Sequence, residues 1–152
     1  MKRIIFTLLL IFPPSIYAFD YKSYNPIEFS EMLQKHEGEF GEETDIGISA
    51  AIFKYRSKIK YTDGFRSIPK DRKKYLEHWR TSLRQSKDYT DLYKYELKVL
   101  NGDKEYWFPI QDQLIAHLKK ELKQNQDLEL YYLYVGANRG DVILFLSEFK
   151  AK

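Results

Sequence analysis

The 152-residue chain contains no cysteine. That excludes disulfide staples, a thiolate nucleophile and any thiolate-built zinc site, so the fold has to rest on its hydrophobic core. It also removes the residue that bacterial lipoproteins acylate after their apolar leader. No stretch reaches the roughly 18 uninterrupted apolar residues of a membrane-spanning helix. Gly-x-x-x-x-Gly-Lys-Ser/Thr and Gly-x-Gly-x-x-Gly are both missing, and so is the Gly-x-Ser-x-Gly elbow, which leaves phosphate cradling and that form of serine catalysis without their sequence devices. There is no Asn-x-Ser/Thr acceptor for glycosylation. Histidine occurs only three times, at His36, His78 and His117, so general bases near neutral pH are scarce.

Against these absences stands a well-formed export signal. Lys2 and Arg3 supply a positive start, residues 4–12 an apolar run too short to span a bilayer, and Ala18 a small residue before Phe19-Asp20. Pro13-Pro14 interrupts the apolar helix ahead of that point. The expectation is a cleavable signal peptide over 1–18 and a single globular domain over 19–152, periplasmic or secreted and bacterial rather than eukaryotic.

Removing Lys2 and Arg3 leaves 23 basic residues facing 22 acidic ones, so total charge points to no partner. Its distribution is uneven. Residues 54–84 hold 11 basic and 3 acidic side chains, whereas residues 19–53 are acidic. Aromatics make up 16% of the chain, with 13 tyrosines, so large rings have to fill much of the core.

Along the chain, Asn25-Pro26-Ile27-Glu28 reads as a helix start, with Asn25 as N-cap, Pro26 in the first turn and Glu28 closing a capping box. The helix runs to about His36, with Phe29, Met32, Leu33 and His36 on one face and Gly38 ending it. An acidic, glycine-containing loop follows over 37–47. Residues 53–61 alternate strictly, Phe53, Tyr55, Ser57, Ile59 and Tyr61 against Lys54, Arg56, Lys58 and Lys60. The spacing of Ile48, Ile52, Tyr55 and Ile59 also fits a helix, but nine alternating residues ending in Thr-Asp-Gly favour a strand, and only a strand sets all four cations on one face.

Residues 70–85 carry a helical stripe of Tyr75, Leu76, Trp79 and Leu83. Tyr93, Tyr95, Leu97 and Val99 then alternate with polar residues. Asn101-Gly102 predicts a type I′ hairpin in which Leu97 faces Tyr106, Tyr95 faces Phe108 and Tyr93 faces Ile110. Gln111 to about Lys123 is a helix with Leu114, Ile115, Leu118 and Leu122 inward. Two final strands over 127–135 and 141–149 have apolar residues on both parities, so both of their faces are covered.

The order strand, helix, strand-turn-strand, helix, strand-loop-strand over about residues 48–149 resembles the OB-fold, a five-stranded, partly open Greek-key barrel. The resemblance is one of topology, and this chain adds a helix between the first two strands. The fold class expected is therefore α+β, a small antiparallel barrel or sheet with OB-like topology plus extra helices. The fallback is a four-stranded antiparallel sheet packed by helices.

Catalytic constellations are thin. His36, Glu37, Glu39, Glu42, Glu43 and Asp45 form the densest group of possible metal ligands, but they match no calcium-loop spacing and read as a solvated acidic loop. His78 falls on the solvent side of its helix and His117 at the edge of an apolar face. No catalytic residue, metal or cofactor is expected. The remaining feature is the basic face of Lys54, Arg56, Lys58 and Lys60, joined by Arg80 and Arg84 and by Arg66, Lys70 and Lys73, with Trp107 as an aromatic neighbour. Such a face suits an anionic envelope component or a protein partner, while export argues against nucleic acid. Two other readings stand beside this non-enzymatic binding module: an interaction or inhibitor domain using exposed Trp107 and Tyr131, and a hydrolase assembled around His36 and neighbouring carboxylates.

Overall fold

The computed structural model describes residues 19–152. The signal peptide expected over 1–18 lies outside the described residues. The elements are β1 (Asn25–Pro26), α1 (Phe29–His36), β2 (Gly47–Lys60), β3 (Phe65–Ser67), α2 (Lys70–Ser82), α3 (Lys87–Asp91), β4 (Tyr93–Asn101), β5 (Lys104–Gln111), α4 (Asp112–Glu121), β6 (Asp127–Asn138) and β7 (Asp141–Ala151). A single turn of 3-10 helix, Tyr21–Ser23, precedes β1.

The described chain is mixed α+β with two sheets. One runs β1-β2-β6-β7 and the other β3-β4-β5. β5 lies against β7 and β2 against β4, but no ladder of hydrogen bonds joins the sheets among the described residues, so no closed barrel forms. Within the first sheet β2, β6 and β7 are antiparallel, and β1 adds a short parallel edge to Tyr55 and Arg56. Among the described residues no helix is long and apolar enough to cross a membrane.

The alternation at 53–61 is realised as strand. Tyr55, Ser57 and Tyr61 are buried, whereas Lys54, Lys58 and Lys60 are exposed. The inward residues of β2 join Leu128, Leu130, Tyr132 and Tyr134 of β6, Leu144 and Leu146 of β7, and Leu97, Val99, Phe108 and Ile110 of the hairpin. α1 closes this core with Phe29 and Met32, and α4 with Leu114 and Leu118. Each such side chain removed from water contributes about 1.5–3 kcal/mol. A second cluster lies on the opposite face of the large sheet, where Tyr75, Leu76 and Trp79 of α2 cover Val135, Ile143 and Phe145. The double-sided apolar pattern of β6 and β7 follows from these two layers.

Several local expectations need correction. Asn25-Pro26 is strand rather than cap: Ile27 N–H donates to Arg56 O at 3.0 Å, and α1 begins three residues later behind Glu28. Pairing with a long exposed strand edge wins over the local capping signal. The β4–β5 hairpin pairs Leu97 with Phe108, Val99 with Tyr106 and Asn101 with Lys104, so Gly102 and Asp103 occupy the turn. Asn101 is not left-handed, as a type I′ turn over 101–102 would require, whereas Gly102 has φ 61° at the first central position, where a II′ turn takes glycine. The slip is by two residues in pairing sum, so it keeps most side chains on their expected faces.

A bulge between Tyr93 and Tyr95 disturbs that alternation, leaving Tyr95 exposed and Glu96 buried. The final strands extend to Asn138 and from Asp141, shrinking the expected five-residue loop to Arg139-Gly140, both with positive φ. Helix α3 was not anticipated, because its five residues carry no apolar period.

Candidate functional site: a basic face and a histidine latch

Lys54, Arg56, Lys58 and Lys60 do share one face of β2. Cross-strand register sets them beside Leu133, Tyr131, Glu129 and Asp127 of β6. β7 completes the rows with Glu148 opposite Tyr131 and Lys150 opposite Glu129, and Lys152 follows at the chain end. α2 roofs the Val135 end of this face. Phe19, Tyr21 and Tyr24 pack around Tyr131 with ring centroids 4.9–5.8 Å away. Beyond those rings, this face of the sheet bears only charged side chains among the described residues.

The sequence pattern located four of these cations and missed two. Lys150 and Lys152 alternate at the end of β7, and that spacing was the available signal. Carboxylates from β6 answer part of the charge. Arg56 sits 4.0 Å from Glu129 and Lys60 2.8 Å from Asp127. The Lys60 hydrogen bond, helped by its charge, holds the Asp127 carboxyl below its ordinary range. Lys152 shares Glu129 at 4.0 Å. Lys58 has no carboxylate within ion-pair distance among the described residues, and Arg56 Nε is buried without a hydrogen-bond partner there. Six cations thus meet three carboxylates, Asp127, Glu129 and Glu148, and the face remains positive. Two lysines border the aromatic cluster: Lys54 Nζ lies 5.7 Å from the Tyr24 ring and Lys150 Nζ 3.8 Å from the Tyr21 ring.

The other expected members of the face lie elsewhere. Arg80 bonds Glu77 on its own helix at 2.8 Å, and Arg84 is an exposed residue with φ 52° just beyond α2. Lys70 and Lys73 are exposed on α2. Trp107 belongs to β5 in the second sheet, half-buried with the Arg66 guanidinium 4.0 Å from its ring. Arg66 also bonds the fully buried Glu96 at 2.7 Å, and Arg72 reaches the same carboxylate at 3.4 Å. Burial still raises the Glu96 pKa despite both arginines. Tyr131, expected as an exposed anchor, is fully buried beneath residues 19–24.

A second polar constellation forms around His36, which is buried on the core side of α1. Its Nδ1 contacts Glu39 Oε2 at 2.9 Å and its Nε2 the Tyr55 hydroxyl at 3.0 Å. Tyr134 stacks on the imidazole at 3.7 Å and donates its hydroxyl to the same Glu39 oxygen at 2.7 Å. Burial pushes the Glu39 carboxyl up, but hydrogen bonds from Tyr134, His36 and Ser49 outweigh it and hold the carboxyl below its usual range. Ser49 lies in a bulge: between Ile48 and Phe53, four residues of β2 stand opposite Val135 alone. Clefts of about 890 and 560 Å³ flank the cluster and share His36, Glu37 and Gly38.

Sequence reading placed His36 at the core edge but had no signal for Tyr55 or Tyr134 as its partners, since those contacts span 19 and about 100 residues. Chemically the cluster is a latch. Both imidazole nitrogens are occupied, Nδ1 by Glu39 and Nε2 by the Tyr55 hydroxyl, and Glu39 also accepts from Tyr134, so the cluster ties three elements together. Its evident work is to fasten the acidic loop against β2 and β6. His78 and His117 are exposed, the latter 3.8 Å from Glu121. No group of three His, Cys, Asp or Glu side chains converges on a metal position among the described residues. Compared with models of known protein families and with curated protein sequences, the chain matches none of them.

Proposed function

We propose that this chain is an exported, non-enzymatic binding module that holds an anionic ligand on the bare end of its large sheet. The observation carrying this reading is the cation surplus of that face, where six cations meet three carboxylates among the described residues and Lys150 and Lys152 lie across β6 from the β2 stripe. A flat sheet rim with unpaired cations draws anions by long-range attraction, and each contact displaces counterions, so binding weakens as salt rises. The OB-like reading of the topology is supported by the placement of β5 against β7 and of β2 against β4, which are the neighbours such a barrel would have.

Charge reversal tests the proposal. Lys54→Glu with Lys58→Glu leaves the core untouched, because both side chains are exposed. The double variant is expected to bind immobilised dextran sulfate at least about tenfold more weakly than the parent at low salt. Equal binding by the two proteins would remove this face as the site.

A further inference from the structure

Resting on that reading, we propose that the anionic ligand is the headgroup layer of a lipid bilayer, docked peripherally on the bare end of the sheet. The cations form two columns, Lys54, Arg56, Lys58 and Lys60 on β2 and, following Glu148, Lys150 at the end of β7 and Lys152 just beyond it, with the acidic column Asp127 and Glu129 between them. Strand spacing sets the columns about 10 Å apart and neighbouring cations along a column about 7 Å apart. A planar array of headgroups meets both columns together. An extended polymer lying along one column leaves the other unused.

The aromatic border points the same way. Phe19 and Tyr21 are half-buried residues beside the cation columns. Amphipathic rings of this kind settle at the headgroup level of a bilayer, and long cations lying over apolar surface carry their charge out to the phosphates. Lys150 joins the two features, its ammonium lying 3.8 Å from the Tyr21 ring centroid in a cation–π contact that places charge and ring at one border. Neither ring adds much to a purely ionic contact with a soluble polyanion, so the rings separate the two kinds of ligand.

The test compares vesicles of phosphatidylcholine alone, vesicles with about a third phosphatidylglycerol, and soluble dextran sulfate, each against the purified chain. The expected result is co-sedimentation with the anionic vesicles at least about tenfold above the neutral ones, reversed by salt. Tyr21→Ala should weaken vesicle binding severalfold and dextran sulfate binding far less, and an equal loss on both ligands would overturn the lipid assignment. If truncating Tyr21 disturbs the fold, read by circular dichroism, the exposed Lys150→Glu carries the test and should weaken vesicle binding without touching the core. Binding to dextran sulfate but not to anionic vesicles would overturn the lipid assignment and leave the anionic reading standing. Equal binding to neutral and anionic vesicles would also overturn it, and binding to none of the three would remove both proposals.

Discussion

Replacing Ser57 by alanine should cost far more than the loss of one hydroxyl suggests, and a second mutation should recover part of that loss. Ser57 lies on the inner side of the cation-bearing strand and is 2% exposed. Its hydroxyl donates to Ile27 O at 2.8 Å, which commits its only proton, so the Tyr132 hydroxyl at 2.7 Å must donate to it. Ser57→Ala therefore strands two groups, the Ile27 carbonyl and the hydroxyl of the fully buried Tyr132. Leaving a buried polar group unsatisfied costs about 1–3 kcal/mol, so the single variant, which strands two, should lose about 2–6 kcal/mol.

Tyr132→Phe alone removes one donor and leaves Ser57 bonded to Ile27, for a loss of about 1 kcal/mol. In the double variant the stranded phenol is gone, so adding Tyr132→Phe to Ser57→Ala should raise stability by about 1 kcal/mol, roughly 3–5 °C in Tm for a domain of this size. Urea melts of the four proteins complete the cycle. Losses that simply add, or a Ser57→Ala protein within about 0.5 kcal/mol of the parent, would refute the assigned hydrogen-bond directions. The result bears on function because the Ser57–Ile27 bond pins residues 25–27 to the edge of the strand that carries Lys54 to Lys60.

The histidine latch predicts an acid-sensitive fold. Glu39 has a lowered pKa in the folded chain, so its stabilisation is complete above the ordinary carboxylate range and is lost as pH falls through the lowered value. Glu39→Gln should thus be less stable than the parent at neutral pH and lose less on acidification, and parallel melting curves from pH 7 down to about pH 3 would contradict the latch. Gly136→Ala should be severely destabilising, by about 3 kcal/mol or more: its φ of 145° disfavours a side chain, and a Cβ there would press into Gly47 O and lie 2.5 Å from the Tyr75 hydroxyl. A circular dichroism melt within a few degrees of the parent would show that β2 and β6 have room to part at this point.

What could be read in the chain followed from periodicity. Strict alternation from Phe53 to Tyr61 gave the strand and hence the shared face of four cations, and the stripe of Tyr75, Leu76 and Trp79 gave the face of α2. Local rules failed where distant pairing intervened. Asn25-Pro26 has the chemistry of a helix cap, yet the free edge of β2 recruits it into a strand. The hairpin register slipped because Asn-Gly is compatible with more than one turn placement, and only packing against the core selects among them. At Glu96, alternation predicts a solvent-facing residue, but Arg66 from β3 and Arg72 from α2 cover it. The candidate site divided in the same way. The cations within one strand were legible, while Lys150 and Lys152 joined them only through a register between strands about 90 residues apart in sequence. Tyr131 read as an exposed ring because nothing local shows that Phe19, Tyr21 and Tyr24 fold back over it.

The most direct measurement is the salt dependence of dextran sulfate binding by the parent chain. A surface with three surplus cations predicts an affinity that falls steadily as salt rises from about 20 to 300 mM, spanning the range in which screening shortens from beyond the patch to less than its width. It also predicts a shallower slope for Lys54→Glu with Lys58→Glu. Affinity unchanged across that range, or the same slope in parent and variant, would contradict the claim that the bare end of the sheet is an anion-binding face.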